Sequence, residues 1–357
     1  MMHTLPYVLS SRVRIARNLR HCRFPHVASR QERQVVLDQV HDAVVTHPRL
    51  RQADLVPIDA LHPLDRRVLE EEGLISHRFA SQGEQRLAIL LNTHKVSLLV
   101  NEEDHLRIQA FQPGLELKRA WKAARTIENC LQETLDFAYS QQYGYLTTCP
   151  TNAGSGIRAS AMLFVPGLIV SKQILPLMTH CLSAGYTVRG TSGEGSRSQG
   201  YFLQISNQRP AEPRIHTLLD DLEQTCQMLV NRERQARRAL LASNGTTALR
   251  QQILRAKQQL LTLPQIDLET GTKLLALCRL GVSWGLPFRS TSKRRWSGTT
   301  QQRDFARIDA LMLRIQPAHI MQYHRRHHQR THGSESSLSL ENDATLRARL
   351  IRSVMKA

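Results

Sequence analysis

The sequence predicts an α+β fold: strands and helices alternate through residue 243, and a helical stretch follows. Three observations carry this. Apolar runs at 86–91 and 96–100 flank Asn92-Thr93-His94-Lys95, the pattern of a hairpin. Apolar residues recur at helical spacing over 31–47 and again over 116–139. Beyond Asn244-Gly245, a turn-forming pair, the stretches 249–261, 268–280 and 305–315 all read as helices. The expected domains are therefore 1–243 and 244–357.

Taken in order, residues 8–14 form a strand with Arg12 and Arg14 on one face, because side chains repeat every two residues. Two guanidinium groups there repel unless an anion sits between them; a solvated edge strand would carry them as well. Val35, Val36, Val40 and Val44 mark the first helix, which Pro48 closes. Residues 53–63 read as irregular and 64–72 as a short helix. The second hairpin strand runs into Asn101-Glu102-Glu103-Asp104-His105-Leu106-Arg107. Three consecutive acids at a strand end fit a site, and they fit the cap of a following helix equally. Leu117, Trp121, Ala124, Leu131, Leu135 and Ala138 trace the helix over 116–139.

A strand over 145–148 leads into Thr147–Met162, the stretch around which the chain is organised. Pro150 keeps Cys149 out of a helix. Gly154 and Gly156 let the backbone approach a ligand, and Thr151 can offer its hydroxyl to a thiolate. A buried cysteine before a loop is the plainer reading of this stretch alone. Strands over 160–165, 186–189 and 201–206 and helices over 172–183 and 218–241 follow. Between them lies Arg189-Gly190-Thr191-Ser192-Gly193-Glu194-Gly195-Ser196, a second glycine-rich loop carrying an arginine and a carboxylate. The polar, basic stretch 289–300 is expected to be disordered. His324 to His332 reads as a basic solvated segment, since no acid or cysteine completes a metal-ligand set.

Composition narrows the function. No apolar run approaches the roughly 20 residues of a membrane helix, and Met1 to Leu9 lack a signal pattern. Six cysteines lie far apart with no Cys-x-x-Cys pair, which points away from zinc and disulfides and toward a reducing cytoplasm. The net charge of +18 invites a nucleic-acid reading. Residues 246–357 hold 19 Lys/Arg against 7 Asp/Glu, so +12 of that charge sits in the C-terminal third. A basic helical face of this kind is more often solvated than bound to nucleic acid.

The arginines at strand ends and glycine loops are a separate signal: Arg12, Arg14, Arg107, Arg158 and Arg189. Neither a P-loop nor a kinase Asp-Phe-Gly occurs. Five guanidinium forks with a magnesium ion can neutralise a nucleoside triphosphate instead, each fork binding phosphate oxygens bidentately. Glu103, Glu194 and Cys149 then suit an acceptor that is itself a cation.

These residues carry a family resemblance. Ser-Ser-Arg-Val-Arg, Asn-Glu-Glu-Asp-His-Leu-Arg, Cys-Pro-Thr-Asn-x-Gly, Arg-Ala-Ser and Arg-Gly-x-x-Gly-Glu stand in the order and spacing of the phosphagen (guanidino) kinases. Within that family the chain most resembles the bacterial protein arginine kinases, over almost its whole length. The resemblance implies a catalytic domain with an antiparallel sheet flanked by helices, then a helical domain of the dimerising, phosphoarginine-binding type. It implies an ATP site at Ser10, Ser11, Arg12, Val13, Arg14, Arg107, Arg158, Ala159, Ser160, Ala161, Met162, Arg189, Gly190, Thr191, Ser192, Gly193 and Glu194. It makes Glu103 the catalytic carboxylate, Glu194 a second clamp and Cys149 the thiolate beside the guanidinium, with Mg2+ accompanying ATP.

The implied activity is phosphorylation of arginine side chains in proteins during stress, in a cytoplasmic homodimer working with a small activator protein and a Clp protease. Kinases of small guanidines carry a sizeable helical domain before the first arginine motif; nine residues precede Ser10 here, which favours a protein acceptor. Two departures stand out. Ser192 occupies a position where an aromatic is frequent, and only Arg347-Ala348 survives of the family's phosphoarginine-sensing motif in Asp343–Ala348. The competing readings are a kinase of free arginine or another small guanidine, and a non-catalytic nucleic-acid-binding or scaffold protein.

Overall fold

A computed structural model describes residues 7–81, 84–91, 96–190, 199–208, 215–242, 245–288, 298–332 and 342–356. In chain order the elements are β1 (Val8–Arg17), α1 (Arg30–Thr46), β2 (Asp54–Pro57), α2 (Pro63–Glu71), α3 (His77–Ser81), β3 (Leu87–Leu91), β4 (Val96–Val100) and β5 (Leu106–Pro113). Next come α4 (Leu117–Gln132), β6 (Tyr139–Ser140), β7 (Gly144–Tyr145), β8 (Ile157–Phe164), α5 (Pro166–Val170), α6 (Ile174–Ser183), β9 (Tyr186–Gly190) and β10 (Phe202–Asn207). Helices complete the chain: α7 (Ile215–Ala242), α8 (Gly245–Thr262), α9 (Leu268–Ser283), α10 (Gly298–Arg314), α11 (Pro317–His332) and α12 (Asp343–Lys356).

The chain divides into two compact units. One comprises Met1–Val165, Lys172–Arg189 and Leu203–Arg232; the other comprises Pro166–Ser171, Gly190–Phe202 and Glu233–Ala357. An eight-stranded sheet has the order β2-β3-β4-β5-β1-β8-β10-β9, while β6 and β7 form a ribbon of their own. From β2 through β8 every neighbouring pair is antiparallel.

β1 lies central in this sheet and gives it two unlike faces. Val8, Val13 and Ile15 are fully buried on one of them. Each such residue removed from water contributes about 1.5–3 kcal/mol. That face meets α4, whose Leu117, Ala120, Trp121, Ala124 and Leu131 are buried. The alternate residues Arg12 and Arg14 point the other way and are half-buried. α1 starts where Ser29 caps it: Glu32 N donates to Ser29 Oγ at 3.2 Å and Ser29 N donates to Glu32 Oε2 at 2.7 Å.

Several elements depart from the sequence expectation. α4 stops at Gln132 although Leu135 and Ala138 keep its apolar spacing. The chain turns there to hydrogen-bond elsewhere: Ala138 N donates to Asn18 O at 2.7 Å, and Leu146 N donates to Ala138 O at 2.9 Å. Of the strand expected over 145–148, only Tyr145 is in a ladder. β2 occupies part of the stretch read as irregular, paired with β3. β3 and β4 pair as the hairpin pattern requires, and the turn expected at 92–95 lies outside the described residues.

The second unit has its own apolar core, with Leu260, Leu275, Ile308, Leu311, Ile320, Leu346 and Ile351 among its members. α12 went unread in the sequence. Its Arg347 is buried and donates from Nε to Ile315 O at 2.8 Å and from Nη1 to Ile266 O at 3.1 Å. The surviving half of the Asp343–Ala348 motif thus holds two chain segments of this unit together. α11 covers the histidine- and arginine-rich segment; of the stretch 289–300 expected to be disordered, 289–297 lies outside the described residues, and 298–300 is instead the start of helix α10.

Candidate active site

Strand register assembles the arginines. Arg14 stands directly opposite Arg158 across β1 and β8, and Arg107 of β5 stands opposite Ala16, one pleat along from Arg14. Arg12 pairs with Phe111 on one side and Ser160 on the other, its guanidinium carbon 5.7 Å from the Phe111 ring centroid. Period-two alternation places Ser10, Arg12, Arg14, Arg107, Arg158, Ser160 and Met162 on one face. Ser11, Val13, Ala159 and Ala161 fall on the opposite, buried face. There Ser11 Oγ donates to Gly114 O at 2.8 Å and accepts from Glu116 N at 2.9 Å.

Burial first, and then the crowding of like charges, acts on these guanidinium groups. Burial, then the nearby Arg107 and Arg158, pull Arg12 down to about 10. Burial together with Arg12, Arg107 and Arg158 pushes Arg14 well below the ordinary guanidinium range, against the opposing pull of Glu102. Among the described residues the buried Nε atoms of Arg12 and Arg14 have no hydrogen-bond partner. A face with several cations and orphaned donors suits a polyanion such as a triphosphate.

Arg189 and Gly190 end β9, the edge strand two places beyond β8. Thr191, Ser192, Gly193 and Glu194 lie outside the described residues.

The acid triplet is a strand-to-strand turn and not a helix cap. Asn101 opens it with φ 61°, a left-handed conformation that asparagine tolerates. Its Nδ2 donates to Arg33 O at 2.8 Å and to Gln85 O at 2.9 Å. Asn101 N donates to His105 O and Glu102 N to Asp104 O, which closes the turn.

The three acids then have three environments. Burial raises Glu102, but Arg107, the Ser76 hydroxyl and the Glu103 amide outweigh it and hold the carboxyl below the usual range. The contacts are Ser76 Oγ to Oε1 at 2.6 Å, Arg107 Nη1 to Oε1 at 3.0 Å and Glu103 N to Oε2 at 2.8 Å. Glu103 goes the other way: burial and the neighbouring Asp104 and Glu102 raise it, against weaker pulls from Arg107 and Arg78. Asp104, 3% exposed, accepts at Oδ1 from Asn18 Nδ2 at 2.7 Å and from Thr148 N at 2.6 Å.

That last bond ties the acid turn to the cysteine loop. Cys149 has extended backbone, φ −92° and ψ 119°, and precedes a short 3-10 turn at Pro150–Asn152, as Pro150 demands. Its Sγ lies 2.9 Å from Thr151 Oγ1. Downstream the loop rests on Arg17, whose Nη1 donates to Ala16 O at 2.6 Å and Ser155 O at 2.9 Å. Arg17 is itself buried against Glu128 (Nη2 to Oε1, 2.6 Å) and stacks over Tyr145 at 3.4 Å. Gly156 is obligatory beside it: its φ is +64°, and a Cβ there would sit 2.5 Å from Arg17 Nη1.

Together Arg14, Arg107, Arg158, Glu102, Glu103, Asp104, Asn152 and Gly156 line a cleft of about 90 Å³. Two larger hollows of this unit, about 540 and 560 Å³, surround Arg20 and Asp136 and lack the arginine cluster. Chemistry, not size, selects the small cleft. No group of three or more His, Cys, Asp or Glu among the described residues is arranged to hold a metal. Sequence reasoning missed Asn18, Arg17 and the separate duties of Glu102 and Asp104. Nothing local marks Asn18 or Arg17, whose partners are 86 and 111 residues away.

Residues 35–236 match ATP:guanido phosphotransferase, C-terminal catalytic domain. The chain belongs to the ATP:guanido phosphotransferase family. Within it, the chain is similar to the protein-arginine kinase of Shouchella clausii, 33% identical over 351 residues, covering 98% of this chain and 91% of the relative. The protein-arginine kinase of Desulforamulus reducens is 41% identical over 237 residues (65% and 66% of the two chains), and that of Bacillus subtilis 34% over 318 (88% and 84%).

Two solved structures share the fold. Lombricine kinase matches with TM-score 0.57 and 23% identity over 64% of this chain and 66% of its own. The duplicated taurocyamine kinase from Schistosoma mansoni with bound transition state analog components matches with TM-score 0.59 and 21% identity, over 72% and 39%.

Proposed function

We propose that this chain transfers the γ-phosphoryl group of ATP to arginine side chains of proteins. The observation that carries the reading is the cleft, where a cluster of guanidinium groups from the central strands β1, β5 and β8 shares its lining with a carboxylate of raised basicity. The protein-arginine kinase relatives support a protein acceptor, since they align over most of both chains.

In this reading Arg12, Arg14, Arg107, Arg158 and Arg189 hold the triphosphate, assisted by the loop through Glu194. Magnesium, carried in on the nucleotide, would neutralise phosphate charge. During transfer the bond from the γ-phosphorus to the ADP oxygen breaks and ADP leaves with the electron pair. A guanidinium nitrogen bonds to phosphorus and loses one proton to the Glu103 carboxylate. A free guanidinium holds its proton to a pKa above about 12, so proton loss must accompany transfer. A carboxylate held above its ordinary range accepts that proton more readily. Glu194 clamps the acceptor and Cys149 provides its sulfur partner.

The finer expectations rest on the family resemblance and belong to the same proposal: a cytoplasmic homodimer, an activator protein, a Clp-type protease taking up marked substrates, and a domain boundary at 243/244. No helix among the described residues is long and apolar enough to cross a membrane.

The test supplies magnesium and γ-labelled ATP with an arginine-rich protein in one arm and free arginine in the other. Acid-labile label on the protein is expected, because a P–N bond hydrolyses in acid where a phosphoserine ester survives. Label on free arginine alone would establish the small-guanidine reading, and acid-stable label would refute both.

A further inference from the structure

We propose that Asp104 is a positioning residue, which latches the Cys149 loop to the turn carrying Glu103 and so sets the spacing of the two groups around the acceptor. The inference rests on the reading above for the roles of Glu103 and Cys149. Its geometry is independent of that reading.

The latch has two arms. On one side Asp104 Oδ1 accepts from Thr148 N at 2.6 Å, one residue before Cys149. On the other it accepts from Asn18 Nδ2 at 2.7 Å, just past the end of β1. Asn18 also donates from Nδ2 to Leu146 O at 3.1 Å and accepts from His105 N at 2.8 Å at its Oδ1. Asn18 thus spans both loops, and a single carboxylate oxygen joins them. Asn18 and Asp104 are 1% and 3% exposed, so water does not compete for these bonds.

His105 completes the node. Its Nδ1 accepts from Leu19 N at 3.0 Å, and its Nε2 lies 3.0 Å from Arg23 O. A carbonyl can only accept, so Nε2 carries the proton and the ring is neutral. Residues 18, 19 and 101–105 therefore form one rigid junction between β1, β4 and β5.

Asp104 has a second effect on Glu103, through charge. The groups facing Glu103 are Glu102 and Asp104 in its own turn, Arg107 of β5 and Arg78 of α3, with Arg14 and Arg158 across the cleft. Asp104 opposes ionisation of Glu103, and its removal leaves Glu102 as the remaining adjacent anion.

Two substitutions separate position from charge. Asp104→Asn keeps a carbonyl oxygen at the latch and removes the charge. Asp104→Ala removes both. Alkylation of Cys149 by iodoacetamide, followed by peptide mass spectrometry, reads the loop without turnover. Asp104→Asn should alkylate at the wild-type rate, and Asp104→Ala several-fold faster.

In the kinase assay, the acid limb of the kcat/KM profile should move to lower pH in Asp104→Asn. The reason is that Glu103, relieved of a neighbouring anion, stays ionised further into acid. In Asp104→Ala kcat should fall by about tenfold to a hundredfold, the cost of misplacing a reacting group by up to about 1 Å, with ATP affinity unchanged. A purely structural role would lower stability and leave the pH profile in place.

An unmoved acid limb in Asp104→Asn, or unchanged Cys149 alkylation in Asp104→Ala, overturns the inference. Should Asp104→Ala fail to fold, Asn18→Ala cuts the opposite arm and must accelerate alkylation in its place. A wild-type chain that phosphorylates no guanidine defeats the functional reading, while the alkylation arm still decides the latch.

Discussion

Replacing Gly156 by alanine tests whether the floor of the cleft is as tightly built as its contacts imply. At φ +64° an L-residue costs about 1–2 kcal/mol. The new Cβ would also stand 2.5 Å from Arg17 Nη1 and 2.7 Å from Ala16 O. Neither atom can yield cheaply. Ala16 O is main chain in β1, and Arg17 is fastened by Glu128, Ala16 O and Ser155 O.

Gly185 supplies the control, with φ +83° and nothing within 4 Å of its Cβ position. Gly185→Ala should therefore show the backbone cost alone, about 1–2 kcal/mol. Gly156→Ala should exceed it by about 1–3 kcal/mol, the range for overpacking a close-packed site. Hydrogen exchange of the β1 amides under increasing urea reads the change locally, including Ala16 N, which donates to Gly156 O at 2.9 Å. Equal destabilisation by the two substitutions would refute the steric argument and the claim that Arg17 cannot move.

Glu103→Gln should lower kcat by about 10²–10⁴-fold while leaving ATP affinity near wild type, measured by steady-state kinetics and calorimetry. Because Glu103 is raised, the wild-type rate should fall on acidification at a higher pH than an ordinary glutamate would give; a limb at the usual glutamate position would contradict it. Arg14→Gln should weaken ATP binding by about tenfold or more, one charged hydrogen bond being worth about 1.5–3 kcal/mol. The same change should raise the melting temperature of the nucleotide-free chain, since it removes a cation disfavoured by burial and three neighbours. Arg347→Ala should destabilise the helical unit by about 2–5 kcal/mol by stranding the Ile315 and Ile266 carbonyls, seen as a lower thermal transition by circular dichroism.

Sequence alone determined the α+β class, most helices and strands, and the chemical types gathered at the cleft. Those follow from local rules. Apolar spacing marks an element's buried face, alternation put Arg12 and Arg14 on one face, and Pro150 kept Cys149 extended. The tertiary structure decided everything that depends on partners distant in the chain. It ended α4 at Gln132 because Ala138 pairs with Asn18 and Leu146. It brought Arg158 opposite Arg14, a register that no local pattern specifies.

Tertiary structure also divided three adjacent acids into an ion-pair partner, a raised carboxyl and a latch. Glu102, Glu103 and Asp104 are nearly identical in the chain and unlike in space. The physical reason is that a carboxylate's behaviour is set by the donors, charges and solvent around it, and these arrive from Asn18 just past β1, Ser76 just ahead of α3, β5 and the cysteine loop only once the sheet has formed.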